Sequence, residues 1–322
     1  MRNLTTNLAV EAQGLVKTFG SKRAVDGVSL NIPTGSIYGV LGPNGAGKTT
    51  TINMLATLSK PDAGSIQIFG YDVQKEAQKV RQLIGLTGQF ASIDEGLTAR
   101  ENLTIFGRLL GFSRSDAKAK ANDLLAEFGL EEAANKSISQ FSGGMRRRLD
   151  LAASLISSPP LIFLDEPTTG LDPRTRAQMW ITIRTLVKNG STVLLTTQYL
   201  DEADQLADKI VVIDQGRVVA DDTPEGLKKS IGAVSLQLTL KNADDTSNAI
   251  QIIQRILGVS AQLAQGTELT APMDNTEKLT DVLIALKGAG IVLTSVNVRQ
   301  PTLDEVFFTL TGNVVMKEKE AV

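Results

Sequence analysis

The run Gly42-Pro43-Asn44-Gly45-Ala46-Gly47-Lys48-Thr49 lies between a short apolar stretch, Ile37-Tyr38-Gly39-Val40-Leu41, and a segment with helical character over 49–58. A G-x-x-x-x-G-K-[ST] pattern flanked by strand and helix is the sequence form of a phosphate-binding loop. Its glycines let consecutive backbone N–H groups curl round an anion without Cβ clashes, and the following helix adds the positive end of its dipole. Lys48 is expected to reach the β- and γ-phosphates of a nucleoside triphosphate, read here as ATP, and Thr49 to offer its hydroxyl to Mg2+. The competing reading is a glycine-rich turn with a solvated lysine. It gives no reason for the strand before the loop or the helix after it.

A second element points to the same chemistry. Leu161-Ile162-Phe163-Leu164-Asp165-Glu166 reads as a buried strand ending in two carboxylates. Asp165 at such a strand end can hold the Mg2+ shell, and Glu166 beside it can orient or deprotonate an attacking water. An acidic cap for a helix after Pro167 is the alternative reading. Further apolar strands, Thr192-Val193-Leu194-Leu195-Thr196 and Ile210-Val211-Val212-Ile213, alternate with helical segments, the pattern of a mostly parallel sheet covered by helices. Residues 8–32 alternate apolar and polar positions around Gly20 and Gly27, as an antiparallel edge of short strands would. A polar, helix-rich insert over about 98–141 interrupts the order. After Thr223-Pro224-Glu225-Gly226 the texture changes to strand 234–240, helix 245–257, strands 259–264 and 267–271, helix 276–288 and strand 291–298, a βαββαβ order.

Composition narrows the function. With 33 Lys+Arg against 35 Asp+Glu the net charge of -2 lacks the basic excess expected of a nucleic-acid binder. The 322 residues include neither Cys nor His, which excludes disulfides, thiol catalysis and the usual zinc sites. No apolar run approaches the 18 or so residues of a spanning helix, and Met1–Thr6 lacks the apolar core of a secretory signal.

Between the two halves of the nucleotide site lies Phe141-Ser142-Gly143-Gly144-Met145, opening a helical stretch at Arg146. Ser142 and the glycines make a second phosphate-facing helix start, for which a chain with one complete loop has no use on its own nucleotide. A second copy of the chain would supply that use. Read alone, the segment is a flexible helix cap.

Taken in order, these motifs resemble the nucleotide-binding subunits of ATP-binding cassette (ABC) transporters over roughly residues 8–230. The resemblance covers Walker A (Gly42–Thr49), the Q-loop glutamine Gln89, the signature Phe141–Met145, Walker B (Leu161–Asp165), Glu166 and the D-loop Thr169-Gly170-Leu171-Asp172. It implies that two copies sandwich two ATP molecules, each held by the Walker motifs of one copy and by Ser142, Gly143 and Gly144 of the other. The implied nucleotide contacts are Phe19 on adenine, Val25, Gly42, Pro43, Asn44, Gly45, Ala46, Gly47, Lys48, Thr49, Thr50, Gln89 and Asp172. Thr49, Gln89 and Asp165 are the implied Mg2+ ligands, and Glu166, Gln198 and Lys48 the catalytic residues. A core phenylalanine near a strand end is the alternative for Phe19. Leu97-Thr98-Ala99-Arg100-Glu101-Asn102-Leu103 resembles a segment common in the exporter-like branch, within the insert that would meet a permease; an N-capped solvated helix accounts for it equally.

Within that branch, Phe141–Leu155 and Pro301-Thr302-Leu303-Asp304-Glu305-Val306-Phe307 look like the daunorubicin/doxorubicin-resistance type of drug-efflux ATPase. One departure from the wider family is Gln198, in Thr196-Thr197-Gln198-Tyr199, where most members carry a histidine. Glutamine can donate to a phosphate oxygen but carries no positive charge; the drug-resistance branch shares this substitution.

The expected architecture is an α/β P-loop NTPase of the ABC cassette type, with a mostly parallel core sheet, an antiparallel β edge and the helical insert. It spans 8–230 and is followed by a small α+β ferredoxin-like C-terminal domain over 231–314 and a frayed tail over 315–322. The implied function is ATP hydrolysis powering a bacterial exporter of a drug-like or lipophilic small molecule. The implied partners are a separate ABC-2-type membrane permease and a second copy of the chain, at the cytoplasmic face of the membrane. A soluble ABC ATPase acting on ribosomes or nucleic acid is the alternative, disfavoured by the single cassette, the missing heptads and the charge. The C-terminal domain is read as a dimer-stabilising appendage, with an effector-binding sensor as its alternative.

Overall fold

The computed structural model describes residues 7–87, 93–232, 234–273 and 275–311. Gln89 and the tail over 315–322 lie outside the described residues. The chain divides into two compact units between Pro224 and Glu225, where the sequence reading had placed the boundary after residue 230.

The first unit begins with β1 (Leu8–Phe19) and β2 (Lys22–Pro33), an antiparallel hairpin. The sequence suggested short strands here, but each strand runs for 12 residues. Register shifts, one between Ala12 and Leu15, reset the alternation partway along, so that one long strand carries the pattern of two short ones. Next come β3 (Ile37–Leu41) and α1 (Lys48–Leu55). This helix stops before the expected residue 58, with Thr57 at φ 65 in the left-handed region. Strands β4 (Ala63–Ile68) and β5 (Tyr71–Asp72) extend the hairpin into a sheet of order β2-β1-β4-β5.

The short helix α2 (Ala77–Arg81) and β6 (Ile84–Thr87) lead into the insert, whose helices are α3 (Ala99–Leu109) and α4 (Arg114–Glu127). A Cβ on Gly107 would lie 3.0 Å from the Ala117 Cβ, so small residues bring the two helices together. Thr98 and Glu101 form a reciprocal capping box at the start of α3. The insert leads into α5 (Gly143–Ser154), after which β7 (Leu161–Asp165), α6 (Pro173–Lys188), β8 (Thr192–Thr196), α7 (Leu200–Leu206), β9 (Lys209–Asp214) and β10 (Arg217–Asp222) complete the unit.

The six-stranded sheet runs β10-β9-β3-β8-β7-β6, with β9, β3, β8, β7 and β6 parallel and β10 antiparallel at the edge. Every residue of β3, β7 and β8 is buried, as unbroken apolar runs covered on both faces require. One core joins Leu15, Val28 and Ile32 of the antiparallel sheet to Ile52 and Met54 of α1 and to Phe163 and Val211 of the parallel one. The loop after β3 and the carboxylates after β7 emerge at the same, C-terminal ends of parallel strands, where open α/β sheets bind ligands.

The second unit contains α8 (Pro224–Ile231, apart from its first residue), β11 (Ser235–Leu240), α9 (Thr246–Leu257), β12 (Gln262–Gln265), β13 (Glu268–Pro272), α10 (Lys278–Gly288), β14 (Leu293–Arg299) and α11 (Leu303–Thr311). Its antiparallel sheet has the order β12-β13-β11-β14. Strand β13 thus separates β11 from β12, the two strands that α9 connects, which makes a split β-α-β. Leu236, Leu238, Ile253, Leu269, Val282 and Leu286 form its core.

Candidate functional site

The loop after β3 is held by contacts that leave no room for side chains. At Gly42 a Cβ would fall 2.1 Å from the Ile213 carbonyl oxygen, and at Gly47, whose φ is 107°, 2.4 Å from that of Ala24. Gly216 N–H donates to the Ala46 carbonyl at 2.9 Å, which ties the loop to the β9–β10 turn. The Thr51 hydroxyl donates to Gly47 O at 2.9 Å inside the first turn of α1. Lys48 is buried, and its ammonium donates to the carbonyls of Gly42 (2.6 Å) and Pro43 (3.1 Å). Burial holds its pKa below the usual lysine value, partly opposed by the charges of Glu166 and Asp165. The loop lysine and the two carboxylates after β7 therefore share one electrostatic neighbourhood.

Thr49 and Asn44 are exposed, Pro43 and Thr50 half-buried, and Ala46 and Val25 buried. The Val25 side chain lies under Gly47, 3.5 Å from where a Cβ would stand there, and so supports the loop from below. Phe19, at the β1–β2 turn, is 57% exposed with the Lys17 ammonium 5.7 Å from its ring centroid. A packing residue would be buried there.

At the end of β7 the two carboxylates enter one hydrogen-bonded cluster. The Thr196 hydroxyl donates to Asp165 Oδ1 and accepts from the Glu166 N–H at 3.1 Å. Glu166 itself has φ 49°, a conformation costing an ordinary residue about 1–2 kcal/mol. Its Oε2 accepts from the Thr169 hydroxyl at 3.2 Å and from Gln198 Nε2 at 3.4 Å. The residue standing where a histidine was expected is thus on the carboxylate predicted to act on water. Asp172 caps α6, accepting from Thr175 N–H (3.0 Å) and its hydroxyl (2.6 Å), and these bonds hold its carboxyl below the usual range.

Ser142 caps α5 through the Met145 N–H at 3.3 Å. Among the described residues, no hydrogen bond joins Ser142, Gly143 or Gly144 to the loop over 42–49. A cleft of about 580 Å³ brings Gly143, Arg147, Asp165, Glu166 and Gly170 to one surface.

Three residues of this region were missed in the sequence. Thr196 bridges the Asp165 carboxylate and the Glu166 backbone N–H. Arg147 donates from its guanidinium to the carbonyls of Asp165 (2.7 Å), Glu166 (2.9 Å) and Pro167 (3.0 Å). Glu202 on α7 is fully buried and accepts from Trp180 Nε1 on α6 at 3.0 Å. Burial raises its pKa and Asp201 adds to the rise, while the Thr197 and Thr168 hydroxyls and Trp180 oppose it.

The ABC transporter family model matches residues 25–169, from Val25 beneath the loop to Thr169 beside Glu166. The chain is 50% identical to the daunorubicin/doxorubicin resistance ATP-binding protein of Streptomyces peucetius, over 97% of this chain and 94% of that one. It belongs to the ABC transporter ATP-binding subunits. This cassette is also 41% identical to the doxorubicin resistance ATP-binding protein of Mycobacterium tuberculosis (strain ATCC 25618 / H37Rv), covering 97% and 95% of the two chains. With the Nod factor export ATP-binding protein I of Rhizobium sp. (strain N33) it shares 37% identity over 97% and 100%. A solved dimeric ATP-binding cassette, in a post-hydrolysis state bound to ADP and Pi, superposes with TM-score 0.62 at 28% identity, covering 66% of this chain and 98% of that one. The cassette is an ATPase that binds ATP, and it is a component of a transporter whose membrane part is a separate protein. Among the described residues, no helix is long and apolar enough to cross a membrane.

Proposed function

We propose that this cassette hydrolyses ATP to drive efflux of a drug-like or lipophilic small molecule through an ABC-2-type permease, from the cytoplasmic face of a bacterial membrane. The observation that carries the chemistry is the Glu166 carboxylate, held by Thr169 and Gln198 next to the buried Lys48. The cargo class follows from the drug-resistance relatives at 50% and 41% identity.

In this reading Phe19 stacks on adenine, the N–H groups of Gly42–Thr49 cradle the phosphates, and Lys48 moves from its carbonyls onto the β- and γ-phosphate oxygens. Glu166 takes a proton from water as the water oxygen attacks the γ-phosphorus and the bond to the β-γ bridging oxygen breaks, leaving ADP and phosphate. Gln198, within reach of Glu166, orients that carboxylate and donates to the γ-phosphate. Ser142, Gly143 and Gly144 of a second copy close the site over the phosphates, with the D-loop around Asp172 at the seam.

A hard oxygen-donor set of the Thr49 hydroxyl, the Asp165 carboxylate and the Gln89 amide suits Mg2+. That ion keeps several waters and substrate phosphates and needs few protein ligands, in keeping with the lack of any dense acidic cluster among the described residues. Bound there, Mg2+ would neutralise charge on the phosphates.

The permease is assigned to the groove of about 670 Å³ lined by Arg81, Leu86, Phe106, Leu109, Phe112 and Ala153. Leu109 and Leu110, both of which line it, are exposed. An amphipathic cytoplasmic helix of the membrane subunit fits such an apolar groove. The C-terminal unit serves as a dimer-stabilising appendage.

Glu166→Gln tests the reading: it should abolish turnover, keep ATP binding, and trap an ATP-dependent dimer seen by light scattering. Persistent hydrolysis in that variant removes Glu166 from the general-base role.

A further inference from the structure

Arg147 lies on α5, five residues after Ser142 and one helical turn after Gly143. The three consecutive arginines Arg146-Arg147-Arg148 have different fates. Arg146 reaches out to Glu95 at 2.6 Å. Arg148 donates to the Phe128 carbonyl at 2.9 Å. Arg147 turns inward, its side chain only 17% exposed, with Asp150 one turn along at 3.7 Å.

Its guanidinium meets three successive carbonyls, those of Asp165, Glu166 and Pro167. A planar fork with several fixed donors suits three acceptors spread along a turn in this way. These carbonyls frame the left-handed Glu166, whose N–H is fixed from the other side by the Thr196 carbonyl and hydroxyl, each at 3.1 Å. The backbone dihedrals of residue 166 set where its Cβ, and hence the carboxylate, points. Thr196 anchors one side of that turn to the rigid sheet, and Arg147 anchors the other to the helix that begins at the signature.

We propose that Arg147 is a positioning residue for hydrolysis: it fixes the turn that aims Glu166 and makes the start of α5 and the base move as one body. The inference rests on Glu166 being the base. A shift of α5 when the signature meets the triphosphate bound by a second copy would then be felt at the base of its own chain. No contact of Arg147 with nucleotide is required, so its removal should act on turnover and not on ATP affinity.

The test uses the full-length chain with Arg147→Lys and Arg147→Ala, assayed for steady-state hydrolysis. Arg147→Lys keeps the charge and the stem but cannot span three carbonyls. It should lower kcat by roughly 10- to 100-fold, the usual cost of losing an orienting partner, with KM for ATP within about twofold. Arg147→Ala should fall further, and Arg147→Ala combined with Glu166→Gln should still form the ATP-dependent dimer. A wild-type kcat in Arg147→Lys overturns the proposal. So does a matching rise in KM or loss of the dimer in the combined variant, because either would make Arg147 a residue of folding or binding. Failure of Glu166→Gln alone to dimerise would count against the sandwich and leave a kcat-only effect of Arg147→Lys standing.

Discussion

Replacing Gly47 by alanine should damage the phosphate loop through its backbone, before any nucleotide is present. Two costs combine. At φ 107° a β-carbon is strained, by about 1–2 kcal/mol on the scale of left-handed L-residues. The added Cβ would also stand 2.4 Å from the Ala24 carbonyl oxygen, against 3.4 Å or more for ordinary contact. The loop or the β2 backbone must therefore shift by about 1 Å, a displacement that takes N–H donors out of the 2.7–3.2 Å range of a hydrogen bond. Gly45 separates the two effects: its φ of 81° is similarly restrictive, but its nearest neighbour would be the flexible Lys22 ammonium at 3.9 Å. Without nucleotide, Gly47→Ala should melt well below Gly45→Ala, which should lose only the strain. Calorimetric titration with MgATP should show Gly47→Ala binding at least tenfold more weakly, about 1.4 kcal/mol. Equal melting temperatures for the two variants, or wild-type affinity in Gly47→Ala, would refute the collision argument.

Glu202→Gln should stabilise the cassette increasingly as pH rises. A carboxyl whose pKa is raised on folding contributes stability below its unfolded value, near 4.5, and loses it as pH rises toward the folded one. Glutamine keeps an acceptor for Trp180 and cannot ionise, so the melting-temperature gain over wild type should vanish below about pH 4.5 and grow as pH rises above it; a pH-independent difference would contradict burial as the cause. Asp172→Ala should lower the melting temperature through the lost α6 cap, while Asp172→Asn should melt like wild type, as thermal denaturation can check. Gln198→Ala should reduce kcat without weakening ATP binding, and an unchanged rate would make Gln198 a bystander.

The phosphate loop was legible because its chemistry is local: eight consecutive residues carry the backbone geometry, the lysine and the hydroxyl. The parallel sheet was legible for a related reason, since strands buried on both faces have nowhere to place polar residues. Misreadings arose where an element's partner is remote. The alternation of β1 is reset by bulges that only its pairing with β2 and β4 defines. The support that Val25 gives the loop from beneath Gly47 is likewise visible only once β2 and the loop are folded together. The helix α11 could have been found: Thr302 and Glu305 form the same reciprocal cap as Thr98 and Glu101, with Thr302 N–H to Glu305 Oε2 at 3.0 Å and Glu305 N–H to Thr302 Oγ1 at 3.3 Å. A T-x-x-E pattern before an apolar run signals that cap. It was read only as a likeness.

The absent histidine acquires a structural context that sequence could not supply. A histidine at 198 would have been read as a donor to the γ-phosphate, and Gln198 as its weaker substitute. In the structure Gln198 Nε2 meets Glu166 at 3.4 Å, Thr169 shares that oxygen, and Arg147 and Thr196 hold the backbone on either side. Aim of the base is thus distributed over four side chains from four segments, none of which titrates near neutral pH. With no histidine in the chain, an activity limb near pH 6.5 cannot come from imidazole. Among the described carboxyls with a resolved shift, Glu202 alone is raised. Removing that one raised carboxyl as Glu202→Gln should change how stability depends on pH, which thermal melts across a pH series check.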